Sequence, residues 1–211
     1  MHPMLMLVTG RECLPEWEAI DWRSRLVQVA VDACAGGFNA VQVRERFVPA
    51  DELLDLLKML CQYLGAHVTV LLNGPVDIAL EGRADGVHLP EAGLSVHEVR
   101  GILGPEAQIG RSVHSVDAAM DAEREGADYI VAGHIFATPS HPDSAPRGLS
   151  FLREACCAVQ IPIVAIGGIT PENAPFCRDV GASGIAVRSA LLSAEKPGIL
   201  AARYYRAMSG E

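Results

Sequence analysis

The sequence predicts an α/β protein, a single-domain (β/α)8 TIM barrel. Eight short runs rich in valine and isoleucine alternate with eight amphipathic segments along the 211 residues. The valine and isoleucine runs lack polar alternation, which is typical of parallel strands that are covered on both faces. A closed barrel of eight strand–helix units fits this count and the chain length. A doubly wound open sheet is the alternative, but it normally has fewer units.

The predicted elements alternate strictly from one end of the chain to the other. The helix at 50–64 has leucines at a spacing that covers one helix face. Ser95 and Glu98 form a capping box, and Pro171 after Thr170 indicates a first helical position. The strands are predicted at 5–9, 40–44, 68–73, 86–89, 108–111, 129–133, 163–166 and 184–187. The helices are predicted at 22–35, 50–64, 76–82, 95–103, 116–125, 148–158, 171–179 and 189–207.

No linker or low-complexity segment divides the chain, so we expect one domain over residues 1–211. The net charge is 17 − 26 = −9, which disfavours nucleic acid as a partner. The apolar runs are shorter than the roughly 20 residues of a membrane span, and the first residues do not have the pattern of a signal peptide. We therefore expect a cytoplasmic protein with no membrane partner. The sequence leaves open whether it forms a homo-oligomer.

In a barrel of this type, chemistry is carried by residues at the C-terminal ends of the strands. The longest irregular segment, 134–147, follows the sixth strand and contains three prolines that prevent a helix. A connection of this length is usually a lid or a binding loop. The polar candidates at the strand ends are Gln42, Arg44, Glu45, Arg46, Asn73, His88, Arg111, Ser112, His114, His134, Arg188 and Ser189.

The ends of strands seven and eight predict a phosphate site. Gly167 and Gly168 allow a ligand to approach the backbone closely. Ser189 begins the final helix, whose free N–H groups and dipole favour an anion. Either feature alone is compatible with a tight turn or a helix cap. Together they stand where barrels commonly bind phosphate, which favours the functional interpretation.

His134 is the candidate acid–base residue, because it ends strand six and begins the long loop. An imidazole with an ordinary pKa of about 6.5 accepts and gives protons near neutral pH. A lone histidine is as often a structural residue, and both interpretations stay open at this point. Arg44 and Arg46 share one face of strand two. They are predicted either to bind a carboxylate together or to pair with Glu45 on the rim.

A three-histidine zinc site, as in a metal-dependent hydrolase, is the competing interpretation of the strand ends. His88, His114 and His134 lie at three consecutive ends, and three imidazoles are a common zinc ligand set. Few carboxylates stand nearby to orient such ligands. His88 also lies in an apolar strip, where a packed, hydrogen-bonded histidine is usual. We therefore expect no metal at these strand ends.

Seven motifs occur in the order of a known family. They read VQVRER at 41–46, LLNGPVDIAL at 71–80, ADGVHLPE at 84–91, IGRSVHS at 109–115, GADYIVAGHIFAT at 126–138, IPIVAIGGITPEN at 161–173 and GASGIAVRSAL at 181–191. Over nearly the whole chain they resemble the thiamine phosphate synthase superfamily. The resemblance implies a (β/α)8 fold, in agreement with the strand–helix pattern.

The superfamily contains two activities, and the chain departs from the synthase motifs at four places. In synthases, two aspartates hold Mg²⁺ on the pyrimidine pyrophosphate, whereas this chain has Gly74 and Gly93. A lysine of the synthase motif is Arg46 here. The segment 138–141 reads Thr-Pro-Ser-His in place of Thr-x-Thr-Lys. All four departures concern residues that handle pyrophosphate.

The other activity is that of the TenI-like thiazole tautomerases. Their sixth strand ends in Gly-His-(Val/Ile)-Phe-x-Thr, and this chain has Gly-His-Ile-Phe-Ala-Thr at 133–138. The resemblance therefore implies an isomerase of thiamine biosynthesis that converts the initial carboxythiazole phosphate to the aromatic 2-(2-carboxy-4-methylthiazol-5-yl)ethyl phosphate. The family's catalytic histidine maps onto His134, which would move the proton without a cofactor.

The implied ligand is a small phosphorylated thiazole carboxylate. Two alternatives stay open: a Mg²⁺-dependent synthase that couples a pyrimidine pyrophosphate with a thiazole phosphate, and a non-catalytic regulatory relative. The residues expected to contact the ligand are Gly168, Arg188 and Ser189 at its phosphate, Arg44 with Arg46 at its carboxylate, and Gln42, Asn73 and Ser112 at positions where the family contacts substrate.

Overall fold

The computed structural model describes residues 2–140 and 142–210. Its eight parallel strands follow one another around a closed barrel, and β8 pairs with β1. The single-domain (β/α)8 TIM barrel predicted from the sequence is confirmed. The strands are β1 (Met4–Val8), β2 (Ala40–Val43), β3 (Thr69–Leu72), β4 (Gly86–Leu89), β5 (Gln108–Val113), β6 (Tyr129–Gly133), β7 (Ile163–Ile166) and β8 (Gly184–Val187).

Helices lie between successive strands and cover the outside of the barrel. Two single-turn 3₁₀ helices, Arg11–Cys13 and Trp17–Ala19, follow β1 and were not predicted. Among the described residues, no helix has the length and apolar character to cross a bilayer. The cytoplasmic location stays a prediction. The helices are α1 (Trp22–Ala35), α2 (Ala50–Leu64), α3 (Val76–Glu81), α4 (Val96–Leu103), α5 (Val116–Arg124), α6 (Gly148–Ala158), α7 (Ala174–Asp179), α8 (Ser189–Leu192) and α9 (Pro197–Ser209).

The core has two layers, because side chains along each strand alternate between the two faces of the sheet. The outer layer packs the strands against helix faces such as that of α2, where Leu56, Leu57 and Leu60 are fully buried. The inner layer fills the barrel, and a filled barrel is a packed core rather than a pore. Its buried members are Met6, Val8, Ala40, Leu71, Tyr129, Val131, Val164 and Ala186.

Two predicted helices differ from the structure by more than one residue. The helix predicted at 189–207 is divided into α8 and α9, because Pro197 supplies no N–H and restricts the residue before it. The helix predicted from Pro171 begins at Ala174. The Asn173 side chain accepts a hydrogen bond from the Thr170 N–H at 2.8 Å and donates one to the Gly168 carbonyl at 2.9 Å. These bonds stabilise a turn in place of the first helical turn.

The capping box and the long irregular connection are as predicted. Ser95 and Glu98 exchange side-chain and backbone hydrogen bonds at the start of α4. The connection after β6 contains no helix or strand among its described residues. Its two ends are joined by a hydrogen bond from the Arg147 N–H to the His134 carbonyl, 3.0 Å long. The loop therefore leaves and returns at the C-terminal end of the barrel.

Candidate active site

A cavity of about 630 Å³ opens at the C-terminal end of the barrel, above the inner layer. Side chains and backbone from the ends of all eight strands contribute to it. Because parallel strands of a barrel end on the same side, residues far apart in sequence meet there. Their individual roles stay predictions. All nine residues predicted for the site line this cavity: Gln42, Arg44, Arg46, Asn73, Ser112, His134, Gly168, Arg188 and Ser189.

The arginine end of the cavity, formed by Arg44 and Arg46 after β2, carries an excess of positive charge. Burial lowers the pKa of Arg44, and the charge of neighbouring Arg46 lowers it further. The negative charge of Glu45 raises the pKa of Arg44 and so offsets these effects only in part. Glu45 Oε2 accepts a hydrogen bond from the Arg11 N–H at 3.0 Å, and in the described part of the chain Glu45 forms no ion pair with either arginine. Two crowded cations of this kind favour an anionic ligand.

The glycine end of the cavity is formed by Gly167 and Gly168 after β7, together with the backbone after β8. Both glycines have positive φ angles, 99° and 64°. A methyl group built on Gly168 would overlap the Ala137 carbonyl oxygen, so this turn lies directly against the loop after β6. Ser189 is exposed at the start of α8, which is only four residues long. The predicted phosphate site would therefore depend on the glycine turn as well as on the helix end.

Arg188 lies at the same end, but its guanidinium faces β1. It forms an ion pair with Glu12 and fills the space beside Gly10, where a Cβ would overlap it. Burial lowers the pKa of Arg188. Its Nε is buried and has no hydrogen-bond partner among the described residues. A role of Arg188 in phosphate binding stays a prediction. Its contacts with Glu12 and Gly10 also hold the segment after β1 against β8.

The three histidines of the zinc hypothesis all have protein oxygens as partners. Both ring nitrogens of His88, and one nitrogen each of His114 and His134, lie within hydrogen-bonding distance of such oxygens. Over residues 2–140 and 142–210, no group of three or more histidine, cysteine, aspartate or glutamate side chains is placed to hold a metal ion. The described donors therefore do not favour a zinc site.

The described carboxylates also do not fit a magnesium site of the synthase type. Mg²⁺ is held through carboxylate oxygens and waters in octahedral geometry, and Glu91 is the one described carboxylate that lines the cavity. His114 occupies both its oxygens, with the backbone N–H 3.0 Å from Oε1 and the ring Nδ1 2.7 Å from Oε2. Partial burial raises the pKa of Glu91, but the hydrogen bonds from His114 outweigh it and lower that pKa.

His88 provides a prediction for the pH dependence of stability. Burial, with the nearby charges of Arg44 and Arg111, lowers the pKa of His88 to about 3. Below its ordinary pKa of about 6.5, the unfolded chain takes up a proton that the folded chain does not. We expect the free energy of unfolding to decrease from pH 6.5 toward pH 3, with His88 contributing up to about 1.4 kcal/mol per pH unit.

The measurement is urea unfolding at a series of pH values for the wild type and for His88→Asn. For His88→Asn, the free energy of unfolding is expected to depend less steeply on pH than for the wild type, whatever the stability of the variant at neutral pH. His67→Asn, at an exposed position, is the matched control and should keep the wild-type slope. Equal slopes for the wild type and His88→Asn contradict the prediction.

The fold and the cavity define a (β/α)8 barrel with an arginine-lined cavity at the C-terminal end of its strands. A family model described as thiamine monophosphate synthase matches residues 5–191. The chain belongs to this family. The thiamine-phosphate synthase of Moorella thermoacetica is 44% identical over 77% of this chain and 78% of its own length. That of Chlorobium luteolum is 40% identical over 92% of this chain and 88% of its own length.

Solved structures agree with this assignment. The thiamine phosphate pyrophosphorylase from Pyrococcus furiosus superposes with a TM-score of 0.86 at 33% identity, covering 98% of this chain and 96% of that one. A geranylgeranylglyceryl phosphate synthase from Thermoplasma acidophilum has a TM-score of 0.75 at 12% identity. The second likeness concerns the fold alone. The superfamily predicted from the seven motifs is confirmed, and these comparisons do not distinguish its TenI-like branch.

The prediction of a thiazole tautomerase is wrong. Relatives about 40% identical over most of the chain are named thiamine-phosphate synthase. The enzyme prediction is confirmed through the family, but the isomerase class is not supported. The sequence argument depended on four departures from the synthase motifs and on one histidine at a strand end. In the structure, His134 Nε2 lies 3.3 Å from the Ser144 carbonyl oxygen, so this residue also serves to hold its own loop, a role that the motif does not reveal.

Sequence reasoning missed two features beside the cavity. The first is the Glu91–His114 pair, since His114 was considered only as a possible zinc ligand and Glu91 was assigned no role. The second is Tyr129, which was used only to mark the start of a strand. Its ring lies inside the barrel and reaches His88, 41 positions earlier in the chain. Gly110 lies on the strand between them and faces the inside of the barrel. A glycine at this position leaves room for a large neighbouring ring, and this is the signal in the sequence that points to the contact.

Proposed function

We propose that this chain is a thiamine-phosphate synthase, which joins a pyrimidine pyrophosphate to a thiazole phosphate. The observation that carries the proposal is the identity of about 40% to proteins of that name, over 77 to 92% of the chain. The cavity supports it, because one space holds both an arginine end and a glycine end. A volume of this size is typical of sites for small molecules.

The reaction needs charge stabilisation more than proton transfer. The thiazole ring nitrogen attacks the methylene carbon of the pyrimidine, a C–N bond forms, the C–O bond to pyrophosphate breaks, and pyrophosphate leaves. Negative charge develops on the leaving oxygen. Preorganised donors aimed at such charge supply much of the rate enhancement in enzymes. In this proposal Arg44 and Arg46 supply these donors, because the described carboxylates of the cavity do not fit a metal ion.

Gln42 is the proposed contact for the pyrimidine. Its side chain is 3% exposed, and its Oε1 has no partner among the described residues. A buried acceptor without a donor costs about 1–3 kcal/mol. The amino group of an aminopyrimidine would satisfy it. The thiazole phosphate is assigned to the glycine end, where backbone N–H groups of Gly168 and Ser189 are proposed to bind the phosphate.

The test is formation of thiamine phosphate by the purified chain from pyrimidine pyrophosphate and thiazole phosphate. We expect thiamine phosphate and pyrophosphate to appear in equal amounts. Parallel reactions with Mg²⁺ and with a chelator show whether the arginine end suffices without a divalent cation. Reactions that lack one substrate or the protein are the controls. Product no higher than in these controls, under both metal conditions, overturns the proposed function.

A further inference from the structure

A buried chain of hydrogen bonds connects the inside of the barrel with the cavity. His88 Nδ1 lies 3.0 Å from the Tyr129 hydroxyl oxygen, and His88 Nε2 lies 2.8 Å from Ser112 Oγ. His88 and Tyr129 are each only 2% exposed, whereas His88 and Ser112 both line the cavity. This series of hydrogen bonds therefore begins at the buried Tyr129, outside the cavity lining, and ends at Ser112, which lines the cavity.

Gly110 makes room for this arrangement. Gly110 and Ser112 lie two residues apart on β5, so both face the same side of the sheet. A methyl group on Gly110 would overlap the Tyr129 ring. The ring occupies that space and approaches His88, with 5.7 Å between the two ring centroids. The contact is thus built into three neighbouring strands, β4, β5 and β6.

The direction of the hydrogen bonds follows from the Tyr129 hydroxyl. Burial, with Arg44 and Arg111, lowers the pKa of His88 to about 3, so the ring carries one proton and one nitrogen must accept. Among the described residues, His88 is the one hydrogen-bond partner of the Tyr129 hydroxyl. A buried hydroxyl proton without an acceptor is unfavourable. Tyr129 therefore donates to Nδ1, and Nε2 carries the ring proton.

We propose that Tyr129, acting through His88, fixes Ser112 as a hydrogen-bond donor toward the substrate. In this arrangement Nε2–H donates to Ser112 Oγ, and the Ser112 hydroxyl proton is directed to an acceptor atom in the cavity. In the opposite tautomer, Ser112 donates to His88 and offers a ligand only lone pairs. Tyr129 is a positioning residue. The nature of the acceptor, an atom of the phosphorylated substrate, rests on the proposed function.

The first experiment needs no substrate. Nitrogen-15 NMR of the wild-type protein at neutral pH distinguishes the two neutral tautomers of His88, with His88→Asn identifying its signals. We expect the Nε2–H form. The Nδ1–H form overturns the inference. Because this measurement is made without substrate, an inactive wild type that shows the Nε2–H form counts against the proposed function only.

The second experiment uses Tyr129→Phe, which keeps the ring and removes the donor. We expect mixed His88 tautomers and a kcat for thiamine phosphate formation about tenfold lower, with KM changed less. Ser112→Ala should lower kcat at least as much. Tyr129→Phe should have no further effect in the Ser112→Ala background, because its action passes through Ser112. Tyr63→Phe, an exposed tyrosine, is the control and should behave as wild type.

Two results of the second experiment overturn the inference. One is a Tyr129→Phe enzyme with wild-type kcat. The other is a double variant in which the two losses multiply, since independent losses mean that Tyr129 does not act through Ser112. If Tyr129→Phe does not fold, the tautomer of the wild-type protein decides.

Discussion

Replacing Arg44 by alanine is expected to lower kcat/KM for thiamine phosphate formation by about 100-fold. Arg44 is half-buried at the arginine end, where burial and the charge of Arg46 both lower its pKa. A bound pyrophosphate relieves that repulsion. Hydrogen bonds to charged groups contribute about 1.5–3 kcal/mol, and loss of one donor at developing charge costs about 10²–10³ in rate. The measurement is steady-state kinetics with the pyrimidine pyrophosphate varied.

Two further arginine variants show whether position or total charge matters. Arg46 is exposed, so water replaces part of its contribution, and Arg46→Ala should lower kcat/KM by only about tenfold. Arg153 is exposed on α6 and does not line the cavity. Arg153→Ala removes the same charge and should leave the rate unchanged. A loss of less than threefold for Arg44→Ala contradicts the assignment of the pyrophosphate to this end.

The fold and the cavity could be predicted because both follow from local patterns. Runs such as 163–166 and 184–187 lack polar alternation, and their number together with the chain length favours a closed barrel over an open sheet. Once the barrel is assumed, every strand end points to the same side, so Arg44 and Ser189 are placed together without knowledge of any contact. The start of the helix near Asn173 was harder to predict, since side-chain hydrogen bonds determine it.

The activity was harder to predict, for a physical reason. The glycines at 74 and 93 show which carboxylates are missing, but a missing metal ligand does not identify the reaction that remains. Arginine side chains can balance the charge of a pyrophosphate where metal-binding carboxylates are missing. Arg44 and Arg46 were already candidate site residues in the sequence. Contacts between side chains on strands that are not neighbours, such as that between Tyr129 and His88, leave almost no trace in the sequence. The hydrogen-bond partners of a histidine are contacts that the sequence does not show. The motif around His134 therefore could not by itself identify the reaction.

Gly168→Ala is expected to have the largest effect at the glycine end. Gly168 has a φ of 64°, which costs an L-residue about 1–2 kcal/mol. Its new methyl group would also overlap the Ala137 carbonyl oxygen, a backbone atom that moves only with the loop after β6. We expect the free energy of unfolding to fall by about 2–4 kcal/mol. The Kd for inorganic phosphate should rise at least about tenfold, since the N–H groups at this turn are displaced from the ligand.

Gly126→Ala is the matched control. Gly126 also has a positive φ, 89°, but a Cβ there meets nothing within 4 Å, and the residue does not line the cavity. Gly126→Ala should lower the free energy of unfolding only by the cost of a positive φ in an L-residue, about 1–2 kcal/mol. The Kd for phosphate should be unchanged. The difference between the two variants therefore isolates the contact between the turn after β7 and the loop after β6. If Gly168→Ala binds phosphate as Gly126→Ala does, the phosphate is not held by this turn.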